Sequence, residues 1–184
     1  MITVSRDTPC LYLTIVTKDR LPVFRSDALE AIACAALDEA RWSGCFALLA
    51  YVVMPDHLHV LTDGARKPSD TLRFIKGIMS RRVIGYLKEH GYESSLEKLQ
   101  HEKGTRQYRY SLWQHHSNVV LLTSESSLMQ RVHYTHQNPV RAGLVDTAEE
   151  WRWSSIRCWN RSLAENEPLL MDIEQINWRS VRYG

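Results

Sequence analysis

An apolar segment broken by a two-residue turn constrains this chain more than any other sequence feature. Residues 46–54 are apolar almost throughout, as expected for a strand that is covered on both faces, and Pro55-Asp56 then turns the chain. The next residues, His57 to Thr62, have the β-branched and apolar content of a strand returning beside the first. The pattern therefore predicts an antiparallel hairpin and places a sheet at the centre of the fold.

Two histidines lie at the start of the returning strand. Because residues at i and i+2 of a strand point to the same face, His57 and His59 are expected to project together, while Leu58 and Val60 take the other face. Two imidazoles held side by side are a natural half of a metal site. The alternative is that both histidines face solvent near a turn, since a His-x-His spacing is short and common.

Periodicity and turn residues predict the other elements around this hairpin. In chain order they are a strand at 11–17, a helix at 27–42, a helix at 69–90, a charged loop at 92–107, strand candidates at 108–114 and 117–122, and a helix at 124–137. Asn138-Pro139 is expected to end the last helix, because a residue before proline disfavours helical dihedral angles. The order predicts an α+β fold, a ferredoxin-like split βαβ antiparallel sheet with helices on one face, plus a C-terminal tail.

Length and composition predict the domain organisation. A chain of 184 residues with a formal net charge of +2 suggests one domain with an appendage, divided here as a domain at 1–146 and an extension at 147–184. The extension holds four of the six tryptophans, and we expect it to pack on the domain. Stacking of these tryptophans on nucleic-acid bases is the alternative.

Cysteine spacing and the lack of targeting signals predict the compartment. The four cysteines are scattered with no Cys-x-x-Cys pair, so we expect reduced thiols. No apolar run approaches the roughly 18 residues that span a bilayer, and the N-terminal residues lack the pattern of a signal peptide. These features predict a cytoplasmic protein without a membrane partner.

Basic residues cluster on the second predicted helix and on the loop that follows it. The set predicted to contact DNA phosphates is Arg73, Lys76, Arg81, Arg82 and Arg106. The more common explanation of such a cluster is a solvated helix face, and the sequence leaves both open.

A tyrosine on the last predicted helix is the second candidate functional residue. The apolar stripe of this helix includes Val132 and Thr135, and at about 100° per residue Tyr134 lies about 200° from Val132. Gln130 and Asn138, one turn to either side, share the face of Tyr134. A tyrosine flanked by amides outside the core is expected for a phenolic nucleophile beside a metal, and the alternative is a surface tyrosine near a helix end.

Three motifs in this order resemble those of a known family. They are Met-Pro-Asp-His-Leu-His-Val-Leu at 54–61, Tyr-Thr-His-Gln-Asn-Pro-Val-Arg-Ala-Gly-Leu-Val at 134–145, and Trp-Arg-Trp-Ser-Ser at 151–155. The chain resembles the single-tyrosine HUH transposases and, among them, the REP-associated tyrosine transposases of bacteria. The resemblance spans roughly residues 11–155. Segment 113–120 departs from it, because members usually carry a stretch richer in tyrosine and aspartate there.

The resemblance implies a function and a set of residues. His57, His59 and Asn138 would bind Mg²⁺ or Mn²⁺, and Tyr134 would attack DNA. The substrate would be single-stranded or hairpin DNA of the REP type, cleaved through a 5′-phosphotyrosine intermediate and rejoined. The protein would act as a monomer or homodimer in the bacterial cytoplasm.

Two other functions remain open from the sequence. One is a non-catalytic module on the same fold that holds nucleic acid with its basic helix. The other is a metallohydrolase in which the histidine pair activates water and Tyr134 is incidental. The only obvious carboxylate base for that hydrolase is Asp56, which the turn is expected to direct away from the histidines.

Overall fold

A computed structural model describes residues 1–101 and 110–177. Its sheet is antiparallel and has the order β2-β3-β1-β4, with β1 at Cys10–Val16, β2 at Leu48–Met54, β3 at His57–Thr62 and β4 at Asn118–Leu122. The helices are α1 at Asp27–Gly44, α2 at Pro68–Glu89, α3 at Glu93–Lys98, α4 at Glu125–Arg141 and α5 at Ile156–Trp159. Short 3₁₀ turns lie at Lys18–Arg20, Ala148–Glu150 and Ile173–Gln175. The predicted α+β class is confirmed, and the strand order is that of a split βαβ sheet.

The helices cover both faces of the sheet, so the expectation that they share one face is wrong. Helices α1 and α2 pack on the face that carries Leu13 and Leu58. Helix α4 packs on the opposite face, where Leu128 and Val132 lie in a second cluster with Leu61. The physical reason is that β2 is buried at all seven positions, which one layer of helices cannot achieve.

Helix α4 continues through Pro139 to Arg141, so the prediction that it ends at Asn138-Pro139 is also wrong. Proline has no amide hydrogen, which deprives the carbonyl group of Thr135 of its helical partner. The side-chain amide of Asn138 compensates by donating to the carbonyl oxygens of Tyr134 at 2.8 Å and Thr135 at 3.4 Å. Tyr134 and Asn138 therefore lie one helical turn apart.

The structure corrects two further predictions, the loop at 92–107 and the strand at 108–114. Helix α3 occupies part of the predicted loop because Leu96 and Leu99 are buried against the core. Of the strand candidate at 108–114, the described residues form only isolated bridges, one between Gln100 and Tyr110 and one between Thr17 and Trp113. In the described parts of the chain, no helix is long and apolar enough to span a membrane.

Residues of the extension line the outer edge of β2. The backbone amide of Val53 donates to the carbonyl oxygen of Trp153 at 2.8 Å. The indole nitrogens of Trp151 and Trp159 donate to the carbonyl oxygens of Val53 and Leu49 at 3.0 and 2.9 Å. These bonds occupy main-chain groups that an edge strand would otherwise expose. Trp178 lies outside the described residues.

Ser155 connects this extension to both β2 and α4. Its buried hydroxyl accepts a hydrogen bond from the backbone amide of Tyr51 at 2.9 Å and lies 2.9 Å from Nε2 of His136 on α4. Burial, followed by the charge of His133, lowers the pKa of His136 to about 4, so its imidazole is neutral near pH 7. This contact fixes how α4 lies across the sheet.

We expect Ser155→Ala to lower the free energy of unfolding by about 1–3 kcal/mol, because two buried polar partners lose their hydrogen bond. Urea unfolding measures this change, and an unchanged m value would show that the exposed surface of the unfolded chain is the same. Ser162→Ala, at an exposed serine of the same extension, is the control and should change little. Equal stability of the two variants would contradict the structural role of Ser155.

Candidate active site

His57, His59 and Tyr134 come together on the sheet face covered by α4. The two histidines project side by side from β3, with ring centroids 4.9 Å apart. Tyr134 approaches from α4, and its ring centroid lies 5.7 Å from that of His59. Strand alternation and helix packing thus bring a histidine pair and a half-buried phenol into one pocket.

Each histidine has its Nδ1 atom engaged by a neighbour. Nδ1 of His57 lies 2.6 Å from a carboxylate oxygen of Asp56. Nδ1 of His59 lies 2.7 Å from the hydroxyl of Tyr12 and 3.1 Å from that of Thr14, both on β1. When Nδ1 donates its proton to such an oxygen, Nε2 is left as the metal-binding atom, which is the usual arrangement of ligating histidines.

The position of Asp56 differs from the expectation that the turn directs it away. Its carboxylate contacts His57 and also accepts a hydrogen bond from Arg20 at 2.9 Å. Burial opposes ionisation of this carboxyl group, but the hydrogen bonds and charges of His57 and Arg20 hold its pKa below the ordinary value. Asp56 is therefore an ionised partner that orients one imidazole.

Burial keeps the side chains of His59 and Tyr12 uncharged. Burial, followed by repulsion from His57, lowers the pKa of His59 to about 3, which leaves a neutral imidazole able to ligate a metal. Burial raises the pKa of Tyr12 to about 12, so its hydroxyl stays protonated beside His59.

Asn138 is the third candidate ligand. Its amide nitrogen donates to the carbonyl oxygens of Tyr134 and Thr135, so the amide oxygen is the atom free to face the pocket. A side-chain interaction with Asn138 partly opposes the lowering of the His59 pKa by burial. Among the described residues no group of three or more His, Cys, Asp or Glu side chains forms a metal site. The set of two imidazoles and one amide oxygen fits Mn²⁺ better than the harder Mg²⁺.

Two arginines that sequence reasoning missed flank the phenol of Tyr134. The guanidinium carbon of Arg141 lies 5.0 Å from the centroid of the Tyr134 ring, and that of Arg131 lies 5.7 Å from it. Arg131 also lies over the ring of Tyr12, at 4.9 Å. The spacing of these arginines could have predicted their place beside Tyr134, since positions i−3 and i+7 share the helix face of residue i. Gln130, the other predicted flanking amide, is exposed.

Four of the five basic residues predicted to bind DNA lie on α2, and all four have protein partners. The side chain of Lys76 donates to the carbonyl oxygen of Gln114 at 2.9 Å, and burial lowers its pKa. Arg81 and Arg82 both pair with Glu39 of α1, and Arg73 lies 3.4 Å from Asp70. Arg106 falls outside the described residues. Exposed ion pairs are weak, so these charges can still meet phosphates.

A groove of about 880 Å³ runs beside these charges. It is bordered by α2, including Arg73, Lys76 and Arg81, and by residues 110–115 and Ser117. Helix α2 lies on the sheet face opposite to Tyr134, so the groove and the pocket are separate features.

Comparison with known proteins supports the resemblance found in the motifs. No protein-family model matches the chain. A Haemophilus influenzae protein named "putative REP-associated tyrosine transposase" is 27% identical over 146 residues, which cover 78% of this chain and 77% of that protein. A REP-associated tyrosine transposase solved bound to a REP hairpin matches with a TM-score of 0.58 and 20% identity, covering 94% of this chain and 89% of the other. The resemblance to REP-associated tyrosine transposases is confirmed.

A second solved structure is a "putative transposase" from Deinococcus radiodurans. The match has a TM-score of 0.49 and 21% identity, and it covers 69% of this chain and 88% of the Deinococcus chain.

We expect Tyr12→Phe to weaken Mn²⁺ binding by about tenfold, because the change removes one of the two hydroxyl groups that orient His59. Thr14 retains the second contact, which keeps the loss at the lower end of the usual range for such partners. Calorimetric titration with Mn²⁺ in the absence of DNA measures the affinity. Tyr92→Phe, at an exposed tyrosine, is the control. Unchanged affinity in Tyr12→Phe would remove Tyr12 from the metal site.

Proposed function

We propose that this protein is a divalent-metal-dependent DNA strand transferase that cleaves and rejoins single-stranded or hairpin DNA. The observation that carries this proposal is the meeting of His57, His59 and Tyr134 in one pocket of the sheet face covered by α4. The sequence relative supports it, because its name describes a REP-associated tyrosine transposase.

We propose hairpin DNA of the REP type as the substrate. The solved protein that shares this fold over 94% of the present chain is bound to a REP hairpin. The groove beside α2 offers a place for the phosphate backbone, with Arg73, Arg81 and Arg82 exposed by 73%, 69% and 47% of their side chains. Phosphate contacts of this kind position a nucleic acid without reading its sequence.

His57, His59 and Asn138 would hold the metal, through two imidazole nitrogens and one amide oxygen. When bound, Mn²⁺ or Mg²⁺ supplies positive charge that orients the scissile phosphate and neutralises charge developing on it. Asp56 and Tyr12 orient the imidazoles, and the buried His59 needs no deprotonation before it can ligate.

Tyr134 would supply the nucleophile. Its phenolic oxygen forms a bond to phosphorus as the bond from phosphorus to the 3′-oxygen breaks, and the phenolic proton passes to water while the 3′-oxygen gains one. The products are a 5′-phosphotyrosine and a free 3′-hydroxyl. Attack by another 3′-hydroxyl reverses the step and joins strands, so the bond energy is conserved. A protonated phenol is a weak nucleophile, so this attack needs a polarised target.

The metallohydrolase alternative has one observation in its favour, the carboxylate of Asp56 beside His57. That carboxylate is already paired with both His57 and Arg20, which removes it from the role of a free base for water. The non-catalytic alternative does not account for the contacts at Nδ1 of both His57 and His59, which leave both Nε2 atoms available for a metal. The experiments below separate all three functions.

Three wider assignments accompany the proposed function. We propose that residues 1–146 carry the transferase and that the extension at 147–184 supports it along β2. We propose action on bacterial DNA in the cytoplasm, by a monomer or a homodimer.

Tyr134→Phe should abolish the covalent protein–DNA adduct, because the change removes the attacking oxygen and leaves the ring in place. Labelled hairpin DNA is incubated with the protein and Mn²⁺, and the adduct is resolved on a denaturing gel and mapped by mass spectrometry. Tyr12→Phe, which removes a hydroxyl from the same pocket, should retain a measurable adduct. An adduct that survives Tyr134→Phe or maps to another tyrosine would contradict the mechanism.

His57→Ala and His59→Ala should also abolish the adduct while hairpin affinity, measured by fluorescence anisotropy, changes little. Asn138→Ala should reduce Mn²⁺ affinity. Hydrolysis of DNA without any adduct in the wild-type protein would favour the metallohydrolase. Binding of the hairpin with neither product would favour the non-catalytic module.

Neutralising Arg73 and Arg81 together should weaken hairpin binding and lower the slope of log affinity against log salt by roughly one unit per lost phosphate contact. The loss should be similar for all DNA sequences, because phosphates carry no sequence information. Arg25→Gln, at an exposed arginine outside α2, is the control. An unchanged slope would assign the charges of α2 to a solvated helix face.

A further inference from the structure

We infer that Arg131 and Arg141 form a guanidinium clamp that binds the phosphate attacked by Tyr134. This inference rests on the proposed function and adds two residues that touch the substrate. The clamp is defined by these two arginines, which stand on α4 three residues before and seven residues after the tyrosine.

Helix geometry places both guanidinium groups beside the ring of Tyr134. Positions i−3 and i+7 share one helix face with residue i, and the guanidinium carbons of both arginines lie within 5.7 Å of the Tyr134 ring centroid. Arg131 is half-buried beside the rings of both Tyr12 and Tyr134, whereas Arg141 is exposed at the end of the helix. The phenol ring therefore has one half-buried and one exposed guanidinium group beside it.

Neither arginine has a carboxylate partner among the residues that the structure describes. In residues 1–101 and 110–177, no carboxylate pairs with Arg131 or Arg141, whereas Arg81, Arg82 and Arg157 each pair with one carboxylate and Arg41 pairs with two. Two like charges at one half-buried ring repel each other, so an anion between them is stabilised.

The way the arginines are held leaves their donors available. A guanidinium that stacks on a ring keeps its five N–H donors in its own plane, directed away from the ring. These donors match the paired oxygens of a phosphodiester, and the rings restrict how the planar groups turn. Ring contacts of this kind would reduce the motion that each guanidinium loses when it binds a phosphate.

A phosphate partner suits the reaction in both directions. The substrate diester carries one negative charge on its non-bridging oxygens, and the phosphotyrosine diester carries the same charge after the bond to the 3′-oxygen has broken. More negative charge gathers on these oxygens in the transition state, where fixed donors contribute most. The clamp would therefore hold the intermediate as well as the substrate, which keeps the phosphotyrosine in place for strand joining.

The test compares a normal scissile phosphate with a methylphosphonate at the same position, in which a methyl group replaces one charged oxygen. Rates of adduct formation are measured in single turnovers with Mn²⁺ for the wild-type protein, Arg131→Gln and Arg141→Gln. On the phosphodiester each variant should be slower by about 10²–10³-fold, the usual loss for one preorganised donor. On the methylphosphonate the difference from wild type should shrink to a few-fold, because the charge that the arginine neutralises is gone.

The methylphosphonate separates a clamp from a merely structural role. If the arginines only pack against Tyr134, each variant will be slowed equally on both substrates, and this result would overturn the inference. Arg152→Gln is the matched control, since Arg152 lies 5.2 Å from the ring centroid of Trp153, outside the pocket, and its loss should leave both rates unchanged. Arg131→Lys and Arg141→Lys retain the charge without the planar fork. These lysine variants should be slowed less than the glutamine variants on the phosphodiester, and their difference from wild type should also shrink on the methylphosphonate. They replace the glutamine variants if those unfold.

Failure of the clamp and failure of the proposed function give different results. A wild-type protein that forms no adduct on the phosphodiester refutes the proposed function. A wild-type protein that forms the adduct, together with arginine variants that form it at the same rate, refutes the clamp alone.

Discussion

The packing of α4 across the face of β3 that carries two histidines is the constraint on which the candidate site depends. Strand alternation alone would leave His57 and His59 as a pair on a bare sheet. The apolar stripe of α4 covers that face and brings Tyr134 beside His59. The buried bond between His136 and Ser155 then sets how the helix lies on the sheet. A structural contact outside the pocket thus helps to hold the helix that carries Tyr134 against the histidine pair.

The sequence predicts the parts of this structure that local patterns determine. The hairpin, the shared face of the histidine pair and the helical face of Tyr134 all follow from periods of two and 3.6 residues. The continuation of α4 past Pro139 does not, because it depends on a side-chain amide that replaces the missing backbone donor. The apolar sequence of β2 indicates that both faces of the sheet are covered. The order of elements alone does not say which helix packs on which face.

Long-range partners are the second part that sequence patterns leave out. Tyr12 is 47 positions from His59, and Glu39 is 42 positions from Arg81, so no local spacing connects them. These contacts change what the residues do. Tyr12 orients an imidazole, while Glu39 reduces the positive charge that α2 presents to solvent. The arginines beside Tyr134 were within reach of a local rule, since they share its helix face.

Burial separates the two tyrosines that lie beside His59. Tyr12 is 3% exposed, its pKa is raised to about 12 by burial, and its hydroxyl is bonded to Nδ1 of His59. That phenol cannot reach a DNA strand without breaking the contact that orients the imidazole. Tyr134 is half-buried and lies between two arginines without carboxylate partners in the described chain. One phenol therefore orients the histidine, and the other is the one that we propose to meet a phosphate.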